Sequence, residues 1–208
     1  MHSKKVRNLL FDLGNVIIDL DLDKTHDGLK QLFRKDADKN IIDRIFIEYE
    51  CGRVSTDIFL NTLLGQCSHK VQAFDLIETW NSMLVGIPEY RLEMLLLLRK
   101  DYNVYLLSNT NSIHLDWVHD YLYRIHNVDD FERTFFDQVY YSHLVGDRKP
   151  LASFYKYVID DVFMTPEITL YMDDIKENID AAKKLGFLTY QVTPEVDIAE
   201  YLKVEGYY

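Results

Sequence analysis

The chain contains little cysteine and no long apolar run. Cys51 and Cys67 are its two cysteines, and their spacing fits neither a CxxC motif nor a metal-binding pattern. Such usage is typical of a cytoplasmic protein with reduced thiols. No apolar run approaches the roughly 20 residues that span a bilayer, and the polar N-terminus, MHSKK, lacks the apolar core of a signal peptide. We therefore expect a cytoplasmic protein without a membrane segment.

Basic residues are scarce relative to acidic ones. The chain has 23 lysines and arginines against 34 aspartates and glutamates, which gives a formal net charge of −11. This charge argues against nucleic acid or an anionic membrane as the main partner. It does not exclude a small phosphorylated metabolite, because local positive charge and a metal ion can reverse the field inside a site. A monomer and a homodimer are both compatible with the sequence.

Short apolar segments that alternate with helical patterns predict an α/β fold. The strand segments are residues 6–12, 104–107, 138–141, 168–172 and 188–192. Strands separated by helices form a parallel sheet with helices on both faces. Residues 22–86 show only helical patterns, which predicts an all-helical insertion after the first strand. The expected domains are a core, residues 1–21 and 87–208, and the insertion, residues 22–86.

Polar residues stand at the carboxyl ends of several predicted strands or on the loops that follow. They are Asp12 with the Gly14-Asn15 turn, Ser108-Asn109, Lys149 and Asp173-Asp174. Each group alone is more often a turn, a helix cap or a solvated loop. Open α/β sheets place their chemistry at this edge. The occurrence of all four groups there predicts one site.

The segments that carry these residues resemble the four motifs of the haloacid dehalogenase superfamily. They are FDLGNVIID, LLSNTN, GDRKP and YMDDIKEN. The likeness is to its small phosphatases, which have a Rossmann-like core and a helical cap inserted after the first strand. A narrower likeness, on DLGNVI, RKP and DDIKEN, is to bacterial sugar-phosphate phosphatases of the α-glucose-1-phosphate type. The resemblance covers the whole chain.

The resemblance implies a role for each motif residue. Asp12 would be the nucleophile and carry a phospho-aspartate intermediate, and Lys149 would bridge this nucleophile and the phosphate. Ser108 and the Asn109 backbone would hold the phosphate, with Gly14 and Asn15 as further substrate-binding candidates. Asp12, the Gly14 carbonyl and Asp174 would bind Mg²⁺, and Asp173 would be a supporting acid or ligand.

Electrostatics supports the magnesium expectation. A carboxylate that attacks a phosphate dianion is repelled by it, at a cost of several kcal/mol in a partly dry site. Lys149 alone returns too little positive charge to offset Asp12, Asp174 and the phosphate. A hard divalent cation can do so, and carboxylates, carbonyls and water are the ligands Mg²⁺ prefers.

One position departs from the family pattern. Most phosphatases of this superfamily carry a second aspartate two residues after the nucleophile, where this chain has Gly14. A positioned acid typically contributes about 10²–10⁴-fold, so its absence favours a substrate with a good leaving oxygen, such as a hexose 1-phosphate. Asp19 or Asp21 could replace the acid, although capping of the next helix is the expected role for both.

Two other functions are compatible with the motifs. A hydrolytic 2-haloacid dehalogenase would use the same nucleophile and also lacks the second aspartate, but its substrate carries no dianion, so it does not need Asp174 and a metal. A binding or regulatory protein with the same fold would have lost turnover, and Gly14 is the one feature that favours this reading.

Several further residues are candidates for the substrate pocket. Residues 50–53 (Glu-Cys-Gly-Arg) fall at a break between cap helices, where capped relatives bring a loop towards the substrate. Trp80 and Asn81 are candidates for the seam between cap and core, with core packing expected for Trp80. His114 could reach the pocket mouth, but a surface or capping position is the expectation. The histidine spacing predicts no zinc site.

Overall fold

A parallel five-stranded sheet forms the centre of the computed structural model, which describes residues 6–208. The MHSKK segment lies outside the described residues. The strands of the chain are β1 (Asn8–Phe11), β2 (Asp19–Leu20), β3 (Leu84–Gly86), β4 (Asn103–Ser108), β5 (Gln138–Tyr141), β6 (Thr169–Asp173) and β7 (Leu188–Gln191). The sheet order is β5-β4-β1-β6-β7. All five strand segments predicted from the sequence are therefore present in one sheet.

The central position of β1 follows from its composition. β1 pairs in parallel with β4 on one side and β6 on the other. Its residues are buried, and the apolar ones alternate between two clusters: Leu9 and Phe11 belong to one, Leu10 to the other. Such a strand is apolar on both faces, as parallel sheets covered by helices require. Asp12 follows β1 directly and so lies at the carboxyl edge of the sheet.

Helices cover both faces of the sheet and also form a separate layer. They are α1 (Leu22–Leu32), α2 (Lys39–Glu50), α3 (Thr56–Leu64), α4 (Ala73–Asn81), α5 (Glu89–Leu98), α6 (Ser112–His126), α7 (Phe131–Phe135), α8 (Ser142–Val145), α9 (Ala152–Asp161), α10 (Lys176–Lys184) and α11 (Ile198–Val204), with a 3₁₀ turn at Pro166–Ile168. Within residues 6–208, no helix has the length and apolar character needed to cross a membrane.

The helices α1–α4 form a lobe with its own apolar core. Its buried residues include Leu29, Ile45, Phe59, Leu63 and Leu76. The side chains of Asp21, Asp38 and Ser55 accept hydrogen bonds from backbone N–H groups at the starts of α1, α2 and α3, which satisfies donors that the helices leave unpaired. The lobe contacts the core through α6 and α8. The domain boundaries at residues 22 and 86 stay a prediction.

Several elements were not predicted. The expectation that residues 22–86 contain no strand is wrong, because β3 pairs antiparallel with β2 as a two-stranded ribbon. Strands of two and three residues are too short to show an alternating pattern. The short helices α7, α8 and α11 were also missed.

Candidate active site

A buried ammonium group joins two of the predicted site residues. Lys149 Nζ lies 2.7 Å from Asp12 Oδ1 and 2.8 Å from Asp173 Oδ2. The Lys149 side chain is 1% exposed and that of Asp173 is fully buried. Asp12 stands at the end of β1, Asp173 at the end of the adjacent β6, and Lys149 on the loop after α8. The ends of two neighbouring strands thus bring the two carboxylates to one cation.

Asp173 is held by hydrogen bonds on both of its oxygens. Asn178 Nδ2 donates to both oxygens at 3.0 Å, the backbone N–H of Ile175 donates to Oδ1 at 2.8 Å, and the Tyr171 hydroxyl donates to Oδ2. With Lys149 as a further donor, these contacts fix the orientation of the carboxylate. Asp173 is therefore placed to hold Lys149 rather than to react itself.

Asp174 completes a cluster of three acids. Carboxylate oxygens of Asp12, Asp173 and Asp174 all lie within 4.8 Å of one another. Asn15 orients Asp174, because its Nδ2 donates to Asp174 Oδ2 at 2.9 Å. Asn15 itself is in the left-handed region, φ 52°, and its Oδ1 accepts from the Leu20 N–H. The donor set is all oxygen and anionic, so it fits a hard divalent cation such as Mg²⁺.

The four ionisable groups perturb one another. Burial raises the pKa of Asp12 from 3.8 to about 8, although Lys149 opposes this shift. Burial also raises the pKa of Asp174. Burial opposes the charge of both Lys149 and Asp173, but their contact outweighs it: the pKa of Lys149 is raised and the pKa of Asp173 is lowered. The cluster is therefore short of positive charge, which favours cation binding.

The second motif lies beside this cluster. Ser108 ends β4, is 2% exposed and lines the same cavity as Asp12. The Asn109 side chain bonds the Lys149 backbone twice: Oδ1 accepts from the Lys149 N–H at 2.9 Å, and Nδ2 donates to the Lys149 carbonyl at 3.0 Å. This side chain is thus committed to holding the lysine loop. A phosphate-binding role for Asn109 stays a prediction for its backbone alone.

The site opens into a cavity of about 280 Å³ between the core and the lobe. From the lobe, Glu50 reaches it, and the Glu50 carboxylate forms a 2.8 Å ion pair with Arg148 Nε of the core. The lobe approaches very closely here. Gly52, with φ 65°, would place a Cβ atom 1.9 Å from the backbone oxygen of His143. The break at residues 50–53 therefore faces the core.

The seam between lobe and core is aromatic. The Trp80 ring stacks on Phe46 and, at 4.8 Å between centroids, on His114. His114 is buried and lines the cavity, so the expected surface or capping position is wrong. Its Nε2 lies 3.2 Å from the Trp80 carbonyl and its Nδ1 3.2 Å from Asn111 Nδ2. Burial lowers the pKa of His114 to about 4. Asn81 is buried next to Trp80.

The structure shows what occupies the space beside Gly14. Gly14 lines the cavity, and a Cβ atom at this position would lie 2.7 Å from Leu20 Cδ1. Neither Asp19 nor Asp21 takes the place of the absent aspartate. Asp21 caps α1 as expected. Asp19 does not, since it accepts from Arg91 Nη1 at 2.7 Å.

Sequence reasoning missed several residues that organise the site. Arg91 also bonds Asp197 and the Ile17 carbonyl, and so ties α5 to the segments around β2 and α11. Its partners lie 72 to 106 positions away, so no local signal exists. Tyr171 and Asn178 could have been found from the sequence, because both lie in the fourth motif close to Asp173. Tyr171 is on β6 and Asn178 on the first turn of α10, and both donate hydrogen bonds to the Asp173 carboxylate.

Comparison with known proteins identifies the family. No family model matches the chain. D-ribitol-5-phosphate phosphatase of Bacteroides thetaiotaomicron is 32% identical over 206 residues, which are 96% of this chain and 98% of the relative. A HAD family enzyme of the same organism, solved with magnesium and inorganic phosphate, is 33% identical with a TM-score of 0.79, covering 93% and 97% of the two chains.

A predicted HAD-like hydrolase of Porphyromonas gingivalis is 29% identical with a TM-score of 0.84, covering 97% of this chain and 98% of its own. The protein belongs to the haloacid dehalogenase (HAD) superfamily of hydrolases, as the four motifs indicated. Within that superfamily, D-ribitol-5-phosphate phosphatase is one relative that the chain matches over nearly its full length.

Proposed function

We propose that this protein is a Mg²⁺-dependent phosphatase of a small phosphorylated metabolite, a sugar or sugar-alcohol phosphate. The observation that carries the proposal is the Lys149 ammonium between Asp12 and Asp173, with Asp174 beside them at the floor of one cavity. This arrangement provides a nucleophile, a fixed cation and two further acids. A phosphatase relative and a neighbour solved with magnesium and phosphate are consistent with it.

Asp12 is the proposed nucleophile. One of its oxygens attacks phosphorus, the bond from phosphorus to the substrate oxygen breaks, and a phospho-aspartate forms. Asp12 Oδ1 accepts from Lys149 and from the Leu13 N–H, so Oδ2 is the oxygen left to attack. Lys149 also offsets charge on the phosphoryl group. Water then attacks the phosphorus and releases phosphate, which restores the carboxylate.

Asp12, Asp174 and the Gly14 carbonyl are the proposed magnesium ligands. When bound there, Mg²⁺ supplies the positive charge that lets an anionic nucleophile approach an anionic phosphate. Asn15 keeps Asp174 aimed at this position. Ser108 is the proposed donor to the phosphate oxygens, because its side chain reaches the same cavity from β4. Each of these roles rests on proximity to Asp12.

The substrate is proposed to be the size of a monosaccharide phosphate. A cavity of about 280 Å³ lies at the small end of ligand pockets,. The relative's name favours an acyclic sugar-alcohol phosphate, while Gly14 favours the better leaving oxygen of a hexose 1-phosphate. Initial rates on pentitol 5-phosphates, hexose 1-phosphates and hexose 6-phosphates rank these possibilities. A preference for hexose 6-phosphates over both others would contradict the substrate proposal.

The function is tested by phosphate release with Mg²⁺ and with EDTA. We expect turnover of p-nitrophenyl phosphate that requires the cation and is lost in Asp12→Asn. Asp27→Asn, a change of the same kind at an exposed aspartate of α1, is the matched control. Undiminished hydrolysis in Asp12→Asn would overturn the proposal. Turnover of 2-chloropropionate without Mg²⁺ would identify a dehalogenase instead, and no turnover at all a binding protein.

A further inference from the structure

Phosphate esters of simple alcohols, such as sugar-alcohol phosphates, need a proton at the leaving oxygen, and Gly14 cannot provide it. In the part of the chain that the structure describes, the titratable side chains that line the cavity are Asp12, Glu50, His114, Arg148, Lys149 and Asp174. A proton donor for the leaving group must come from this set, because it has to touch the substrate. Asp12 is the proposed nucleophile, and Asp174 is bonded to Asn15 and assigned to the cation.

Three of the remaining groups are unsuited to donate. Lys149 is bonded to two carboxylates, and the Arg148 guanidinium is paired with the Glu50 carboxylate. Both ring nitrogens of His114 are engaged, with the Trp80 carbonyl and Asn111. Burial also leaves His114 unprotonated at neutral pH, since its pKa is lowered to about 4. Glu50 is the remaining group of the set, and its ion pair with Arg148 engages one carboxylate oxygen, Oε2.

We infer that Glu50 is the general acid that replaces the second aspartate of the family, supplied by the lobe rather than by the nucleophile loop. This inference rests on the proposed phosphatase function. Glu50 lines the cavity opposite the motif residues, and its carboxylate contacts Arg148, the neighbour of Lys149. Burial raises the pKa of Glu50, although Arg148 and Lys149 on the core loop lower it, and the raised value favours the protonated form.

The Arg148 contact serves both halves of the reaction. In the first half, the bond from phosphorus to the leaving oxygen breaks, and that oxygen takes the proton of the Glu50 carboxyl. The new Glu50 carboxylate is stabilised by the Arg148 guanidinium. In the second half, Glu50 removes a proton from the water that attacks the phospho-aspartate, while the bond from phosphorus to Asp12 breaks. Glu50 and Asp12 both return to their starting states.

The test compares good and poor leaving groups in Glu50→Gln. We expect kcat on an alkyl phosphate such as ribitol 5-phosphate to fall by about 10²–10⁴. The first-turnover burst of p-nitrophenol, a leaving group that needs no proton and that departs before Glu50 acts as a base, should change in rate by less than about tenfold. The second substrate also shows that the variant is folded and that Asp12 still attacks. Glu48→Gln is the matched control, because Glu48 lies on the same helix and pairs with Arg53.

The readouts separate a catalytic role from a structural one. Equal losses on both substrates, a rise in KM alone, or an unchanged kcat on the alkyl phosphate would each overturn the inference. A wild-type enzyme that hydrolyses neither ester would overturn the proposed function, and the role of Glu50 with it. If the wild-type enzyme hydrolyses p-nitrophenyl phosphate, any of the first three results would remove only the role of Glu50.

Discussion

The metal-free protein should become more stable when its nucleophile is removed. Burial raises the pKa of Asp12 from 3.8 to about 8. Between these two values the folded chain carries one more proton at this site than the unfolded chain, so stability falls as the pH rises through the window. Asp12→Asn keeps the shape of the side chain and has no proton to release. The variant therefore escapes this loss.

The size of the effect follows from the same shift. At pH 7 the unfolded Asp12 is ionised, about three pH units above its pKa, while the folded one is still protonated. Each unit is worth about 1.4 kcal/mol, so the wild-type protein is less stable than the variant by about 4 kcal/mol. For a chain of this length, that difference corresponds to a rise in Tm on the order of 10 °C.

Thermal unfolding by calorimetry measures the difference. Both proteins are heated at pH 7 in EDTA and again with saturating Mg²⁺, with Asp27→Asn as the exposed control. We expect the gap to shrink with Mg²⁺, because the cation binds the ionised wild-type carboxylate and stabilises the folded state. An Asp12→Asn variant that melts below the wild type in EDTA would refute the reasoning about the buried charge.

Three further predictions concern residues around the cluster. Asn15→Gly keeps the left-handed backbone but removes the hydrogen bond to Asp174. Titration calorimetry should then show Mg²⁺ bound about 10–100-fold more weakly, and an unchanged affinity would contradict the orienting role of Asn15. Between pH 6.5 and about 4, His114 is neutral in the folded protein but protonated in the unfolded chain. The free energy of unfolding should therefore fall by about 3 kcal/mol as the pH drops through this window. Urea unfolding of His114→Gln should show a flatter pH dependence, and equal slopes would argue against it. Gly14→Asp should lower Tm, because the new side chain would collide with Leu20. Adding Leu20→Ala should relieve this collision, and the two changes together should restore alkyl phosphate turnover to the Glu50→Gln variant. No restoration would show that position 14 cannot deliver a proton.

The sequence predicted those parts of the site that local patterns encode. Asp12, Ser108 and Asp173 each end an apolar segment, and parallel strands bring their carboxyl ends to one edge of the sheet,. The convergence of these three residues could thus be predicted from the sequence alone. The Ser55 cap of α3 is likewise a local feature, because an N-cap residue directly precedes its own helix,.

Contacts between distant segments could not be predicted. The Glu50–Arg148 and Arg91–Asp197 pairs join residues about a hundred positions apart, and nothing in the neighbouring sequence marks either partner. The burial of His114 depends on Trp80 of the lobe, so it is a tertiary property. Leu20 beside Gly14 depends on the ribbon of β2 and β3, which is too short to leave a pattern.

The close approach of Gly52 to the His143 carbonyl means that a hydrogen atom in place of a side chain sets how near the lobe can come to the lysine loop. An alanine at position 52 would act as a spacer and hold Glu50 away from the motif residues by the width of one methyl group. The lobe-to-core distance thus becomes an adjustable quantity, and the dependence of each step of turnover on the position of Glu50 can be measured against it.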